Sequence, residues 1–240
     1  MVKTILWFSY FWIYQIRLLP IFFKLKYLMK NNKEDEVKGL VNKWVPKWAK
    51  EMVEFTGSKV KVIGEDKLPD EPVLFVSNHQ GSFDIPLLLG YIDKPKAFIA
   101  KWELRYLPFI GSWMKELGCI FIKRNDFRQT LKAFKGAGRV FEKGQSLVIF
   151  PEGTRSRSSK LGKFKRGSLK IALREKVPVV PVTIKGSYKL KERNNGFIKG
   201  DNVELVISDP IYIDSLSKEE KDDLTLIVRE EISKELIGES

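Results

Sequence analysis

His79 is the only histidine among 240 residues, and it stands in SNHQGSFD, residues 77–84, five positions before Asp84. A histidine with one ring nitrogen held by a carboxylate is oriented, favours its charged form, and keeps its other nitrogen free to take a proton. The spacing sets a condition on that chemistry. Five residues of a regular helix turn through about 500°, which would put the two side chains on different faces. They meet only if His79 lies in a loop and Asp84 in the first turn of the following helix. Pro86 suits an early helical position, and Gly81 gives the turn its freedom. The same residues also fit a plainer arrangement, with Asp84 capping a helix and His79 on a surface loop.

A second stretch concentrates anion-binding chemistry. FPEGTRSRSSKLGKFKRG, residues 150–167, carries Arg155, Arg157, Lys160, Lys163, Lys165 and Arg166, with Gly153 allowing a tight turn near its start. Arginine offers a planar fork matched to phosphate oxygens, and helix N-termini attract anions. LGCIFIKR ends an apolar run with Lys123 and Arg124, which supply either a further phosphate ligand or a solvated strand end. For the basic stretch the alternatives are a solvated loop and a nucleic-acid patch. Cys119 is the single cysteine, so no internal disulfide forms, and with one histidine a structural zinc site is not supported. That composition fits a reducing, cytoplasmic-side location. No GxGxxG follows an apolar run and no GxxxxGK[ST] occurs, so nucleotide-cradling loops of those kinds are absent from the sequence.

The elements around these stretches alternate. Short β-branched and aromatic runs at 59–63, 72–78, 96–100, 119–123, 146–150, 177–184 and 202–208 predict strands. Helical patterns at about 82–91, 102–117, 126–143, 166–176 and 217–237 lie between or after them. This predicts an α/β fold, a mostly parallel or mixed sheet covered by helices, over residues 59–240. In such sheets the strand-to-helix loops gather at one edge, where ligands bind. SNHQGSFD and FPEGTRS both follow predicted strands.

Residues 1–58 read differently, as an N-terminal helical membrane anchor. TILWFSYFWIYQIRLLPIFF, residues 4–23, is long enough to span a bilayer, but Arg17 and Pro20 interrupt it. No small-residue cleavage site follows, which argues against a signal peptide. Val37, Leu40, Val41, Trp44, Val45, Trp48, Met52 and Val53 recur at helical spacing, with Pro46 expected to kink or divide that helix. The second segment fits either an amphipathic helix packed on the core or one lying in the interface with Trp and Val dipping into lipid. The aromatic and basic residues of both segments favour the latter, as a helical pair in one leaflet over a spanning helix. Charge is polarised along the chain. Residues 1–60 carry eleven Lys/Arg against five acids, residues 61–199 twenty-eight against thirteen, and residues 200–240 four against twelve, within a formal net charge of +13. Such asymmetry favours orientation on a polyanionic surface.

NHQGSFD resembles the NHx4D motif of the glycerolipid acyltransferases. FPEGTRS is similar to that family's third motif in every position, KWELRYLPFIGSWMKELGCIFIKR to its second block, and VPVVPV to its fourth. The blocks occur in the family's order over residues 72–184, and FPEGTRS resembles the 1-acylglycerol-3-phosphate acyltransferase branch in particular. The resemblance implies transfer of an acyl group from acyl-CoA or acyl-carrier protein to the sn-2 hydroxyl of lysophosphatidate, giving phosphatidate in phospholipid biosynthesis. His79 would be the general base and Asp84 its orienting partner, with no covalent acyl-enzyme. Arg124 and Arg155 would hold the acceptor phosphate, Glu152, Gly153 and Thr154 would shape that pocket, and Lys101 and Lys165 would add phosphate contacts. It implies no metal and no cofactor beyond the acyl co-substrate. The expected partners are the lipid acceptor and an anionic membrane surface on the cytoplasmic side of the cell membrane, held monotopically, without nucleic acid. In many relatives a serine stands where this chain has Gly81, so no specific role falls to Ser82. Alternative readings are an acyltransferase for another lysophospholipid or for glycerol 3-phosphate, a hydrolase using His79 to activate water, and a non-catalytic basic module.

Overall fold

Runs such as LFVS and SLVI carry no polar alternation, the pattern of strands covered on both faces. In the computed structural model, which describes residues 1–123 and 136–238, both are buried at every position. The strands are β1 (Lys59–Ile63), β2 (Leu74–Ser77), β3 (Lys96–Lys101), β4 (Ile120–Ile122), β5 (Ser146–Ile149), β6 (Val179–Lys185) and β7 (Asn202–Ile207). They form one seven-stranded sheet in the order β1-β7-β6-β2-β5-β3-β4. Every neighbouring pair is parallel except β6 and β7. The expected mixed, mostly parallel sheet is therefore what forms.

β2 is the central strand of the sheet. It pairs in parallel with β5 on one side and β6 on the other. The C-terminal ends of all three strands thus open at one edge of the sheet, where crevices for ligands arise in open α/β folds. Alternate residues of β2 face opposite layers. Phe75 joins a core with Val41, Val45, Ala49 and Leu87, whereas Leu74 and Val76 join one with Leu169, Ile171, Val228 and Ile232.

Among the described residues the helices are α1 (Val2–Arg17), α2 (Leu19–Lys30), α3 (Glu34–Glu54), α4 (Asp84–Tyr91), α5 (Ile110–Glu116), α6 (Gly138–Glu142), α7 (Lys170–Glu175) and α8 (Lys218–Ile237). α8 starts with a capping box, in which Ser217 Oγ accepts from Glu220 N and Glu220 accepts from Ser217 N. The helix expected over 102–117 is two pieces. A 3-10 turn covers Trp102–Tyr106, and α5 begins only at Ile110. Pro108 explains the break, because it pushes Leu107 out of the helical region, to φ −65°, ψ 125°. The helix expected over 166–176 forms only as α7, and much of the one expected over 126–143 lies outside the described residues.

The first sixty residues depart from expectation in two respects. Pro46 does not divide α3, which runs on from Glu34 to Glu54. Val37, Val41 and Val45 before it and Ala49, Met52 and Val53 after it are all buried, so packing on both sides outweighs the donor that proline removes. That stripe faces the protein core rather than lipid. Apolar exposure is instead found on α1 and α2, where Ile5, Trp12, Ile16 and Phe23 are each 58–66% exposed. Among the described residues no single helix is long and apolar enough to cross a membrane; α1 and α2 reach that length and apolarity only as a pair, bent by 44°. The bend follows Arg17, the charge that interrupts the apolar stretch. α1 is fastened to the body, with Trp7 Nε1 donating to Met52 O at 2.9 Å and its ring packing edge-on against Phe83 at 5.5 Å.

Candidate active site

The residues 78–83 between β2 and α4 are held by their neighbours on both sides. Asn78 is pinned to the end of β6: its Nδ2 donates to Ile184 O at 2.9 Å and its Oδ1 accepts from Ile184 N at 2.7 Å. His79 N donates to Glu152 Oε1 at 2.7 Å. The backbone carbonyls of His79 and Gln80 accept from Ser156 N and Arg157 N at 2.8 and 3.1 Å. The turn after β2 and the loop after β5 are therefore zipped together through main-chain and carboxylate contacts.

Asp84 is the first residue of α4 and is fully buried. Its Oδ2 lies 2.6 Å from His79 Nδ1 and accepts from Gly81 N at 2.9 Å. Its Oδ1 accepts from Ser187 Oγ. A buried carboxylate needs such partners, since each unmade hydrogen bond there is costly. The loop-then-helix condition set by the five-residue spacing is met. His79 stacks on Phe150, ring centroids 4.1 Å apart and planes 18° from parallel, and is 9% exposed. Stacking and the Asp84 contact fix the ring and leave Nε2 outside the pair.

The residues of FPEGTRS take distinct places. Glu152 is buried, with Oε1 on His79 N and Oε2 accepting from Gly162 N at 3.0 Å. Burial raises the pKa of its carboxyl, opposed by those two N–H donors. Glu152 thus serves the backbone and holds the histidine. Gly153 adopts φ +68°, and a Cβ there would lie 2.7 Å from Lys165 Nζ, so the lysine packs directly on the turn. Thr154 is exposed beside it. Arg155 Nη1 donates to Ser82 Oγ at 2.8 Å while the side chain stays 46% exposed, leaving other N–H groups for an anion. Lys101 is the exposed last residue of β3, opposite Ile122 and two strands from β2 in the sheet. Arg124 lies outside the described residues.

A third segment, unforeseen, completes the turn's support. After β6, Gly186 N donates to Gln80 Oε1 at 3.0 Å, Ser187 bonds Asp84, and Glu192 Oε1 accepts from Ser82 N and Oγ at 2.8 and 2.7 Å. Ser82, left without a role by its offset, links Arg155 to Glu192. No motif spacing marks Ser187 or Glu192; the parallel pairing of β2 and β6 is what brings them there. Among the described residues no group of three or more His, Cys, Asp or Glu could hold a metal.

An apolar cavity of about 190 Å³ lies on the α3–α4 side of the sheet, lined by Leu18, Trp44, Trp48, Ile85, Leu89, Phe98, Trp113 and Cys119 among others. Ile85 is the residue after Asp84. Burial pushes the Cys119 thiol up to about 12, so it stays protonated in that wall.

A family model described as Acyltransferase matches residues 59–185. The "1-acyl-sn-glycerol-3-phosphate acyltransferase LPAT1, chloroplastic" of Arabidopsis thaliana is 37% identical over 157 residues, 64% of this chain and 44% of its own length. The 1-acyl-sn-glycerol-3-phosphate acyltransferase of Borreliella burgdorferi is 33% identical over 181 residues, 75% of this chain and 72% of its own. This chain therefore spans less than half of the plant relative but most of the bacterial one. The crystal structure of the 1-acyl-sn-glycerophosphate (LPA) acyltransferase PlsC from Thermotoga maritima superposes with a TM-score of 0.81 at 31% identity, covering 98% of this chain and 95% of that one. The matched region runs from β1 to the end of β6 and contains the His79–Asp84 pair, Glu152 and Arg155, and the chain belongs to the acyltransferase family.

Proposed function

We propose that the protein is a 1-acylglycerol-3-phosphate O-acyltransferase that forms phosphatidate from lysophosphatidate and an acyl thioester. The observation that carries this reading is the buried 2.6 Å contact between His79 Nδ1 and Asp84 Oδ2, set beside the basic loop 150–167. His79 Nε2 removes the proton from the sn-2 hydroxyl as its oxygen attacks the thioester carbonyl. The tetrahedral intermediate collapses, the C–S bond breaks, and the thiolate takes the proton back from the imidazolium. Asp84 stabilises the imidazolium charge throughout. A base of this kind contributes roughly 10²–10⁴-fold in rate. No acyl-enzyme forms, so no side-chain nucleophile is required.

Arg155 is the phosphate ligand best supported by geometry, since it is tethered to Ser82 in the same turn as His79 yet keeps free donors. Lys165, packed on Gly153, adds positive charge. Arg124, Thr154 and Lys101 are further contacts in this proposal. The apolar cavity beside α4 suits an acyl chain. The exposed apolar side chains of α1 and α2 suit the membrane interface, where the acceptor resides, with the basic residues drawn to anionic headgroups on the cytoplasmic face. Acyl-CoA and acyl-carrier protein are both acidic donors compatible with that charge.

Product analysis by mass spectrometry, with lysophosphatidate and either donor, tests the proposal. Phosphatidate is the expected product. Free fatty acid in its place, or acylation only of a different acceptor, would overturn it.

A further inference from the structure

We propose that Glu192 is the residue that positions Arg155 for the acceptor phosphate, and that Gly81 is its required complement. This rests on the acyltransferase reading of the site. Glu192 lies in a 3-10 turn after β6 (Glu192–Asn194), and its side chain is 8% exposed. Its Oε1 accepts from both Ser82 N and Ser82 Oγ and lies 3.8 Å from Arg155 Nη1. Ser82 Oγ donates to Glu192 and accepts from Arg155, so the three form one chain of bonds. A long arginine side chain loses much rotamer freedom when it binds a phosphate, and a fixed anchor reduces that loss. Because Ser82 is in the His79 turn, the anchor also fixes the guanidinium relative to the base.

Gly81 faces the other oxygen. A Cβ at Gly81 would lie 2.6 Å from Glu192 Oε2 and 3.1 Å from its carboxyl carbon. The close obstacle is the end of a side chain, and Tyr188 Cα lies next at 3.4 Å, an ordinary contact distance, so a residue as small as serine would shift the carboxylate and not the backbone. It would displace the Glu192 carboxylate and with it the hold on Ser82. The Glu192 carboxylate in its present place leaves no room for a Cβ at residue 81, which gives Gly81 a physical reason in a place where many relatives carry serine.

The test is steady-state kinetics on lysophosphatidate in detergent micelles with full-length variants. Glu192→Ala is expected to raise KM for lysophosphatidate about tenfold, the size of one lost charge-assisted hydrogen bond. KM for the acyl donor and the pH profile of kcat should stay as in wild type, because His79 and Asp84 are untouched. Gly81→Ser is expected to reproduce the KM rise, and Glu192→Gln, which keeps an acceptor for Ser82, to restore much of the loss. The double variant Gly81→Ser/Glu192→Ala should be no worse than Glu192→Ala alone. Should Glu192→Ala fail to fold, Glu192→Gln and Gly81→Ser carry the comparison. Unchanged KM in Gly81→Ser, or additive effects in the double variant, overturn the inference while wild-type turnover leaves the acyltransferase reading intact. A wild-type enzyme without turnover on lysophosphatidate overturns both.

Discussion

The backbone N–H of His79 donates to Glu152 Oε1 at 2.7 Å, so the placement of the sole histidine depends on a residue 73 positions away. Gly162 N occupies the other oxygen of the same carboxylate. Two stretches that are similar to separate family motifs are thus one mechanical unit, in which the Glu of FPEGTRS holds the His of NHQGSFD.

Glu152→Gln should therefore damage catalysis through position. An amide accepts at one atom only, so its NH2 would face one of two backbone donors, at a cost of about 1–3 kcal/mol. The expected result is a lower melting temperature together with a kcat reduced roughly ten- to a hundredfold, since small displacements of a base are costly. Unchanged melting and unchanged kcat would show that the clamp is dispensable.

His79→Ala and Asp84→Asn separate chemistry from binding. His79→Ala is expected to lose roughly 10²–10⁴-fold in kcat while vesicle binding persists. Asp84→Asn removes the charge that stabilises the imidazolium and should lower kcat by a comparable factor. Vesicle co-sedimentation alongside radiometric acyl transfer measures both. Loss of vesicle binding in step with activity would count against a base confined to the chemical step.

Membrane contact should depend on α1 rather than α3. Ile5, Trp12 and Ile16 are exposed, and burying each apolar side chain in lipid is worth about 1.5–3 kcal/mol. The triple change Ile5→Ser/Trp12→Ser/Ile16→Ser should lower vesicle partitioning by roughly two orders of magnitude or more with little change in melting temperature. Deleting residues 1–55 is a poorer experiment, because Val41, Val45, Ala49 and Val53 belong to the core. Retained partitioning of the triple variant would rule out α1 as the contact.

Lys96 gives stability a pH dependence. It is 3% exposed at the start of β3, with Nζ donating to Ile92 O at 2.6 Å, and burial lowers its pKa to about 7. The unfolded chain holds that proton up to the ordinary lysine range, near 10.4, whereas the folded protein releases it from about pH 7. The unfolded state thus binds more protons between those values, and stability rises with pH there. Relative to Lys96→Met, the wild-type melting temperature should climb by about 2–4 °C per pH unit between pH 7 and 9. Parallel melting curves against pH for the two proteins would contradict a buried, readily neutralised lysine.

Much of the framework was legible locally. Short β-branched runs announced all seven strands, because a strand covered on both faces needs little beyond a continuous apolar stretch. The His79-to-Asp84 spacing dictated a loop followed by a helix start, since only that backbone lets the two meet, and α4 begins at Asp84. Pro108 carried the signal for the break between Tyr106 and Ile110, though the apolar pattern over 102–117 masked it.

Strand neighbours are a different matter. β2 lies between β5 and β6 because of pairings across roughly a hundred residues, such as Phe75 with Val180, and local pattern does not encode that choice. That one fact joins the turn after β2, the loop after β5 and the segment after β6. It makes Glu152 a clamp on the His79 turn, gives Ser82 a partner, and brings in Ser187 and Glu192, whose spacing from His79 follows no motif. The same holds for α3. Its apolar stripe has the periodicity of either a core helix or an interfacial one, and only the presence of α4 and the sheet beneath it turned the stripe inward. Residue types and short spacings specify which chemistry a segment can perform; long-range packing specifies which segments perform it together.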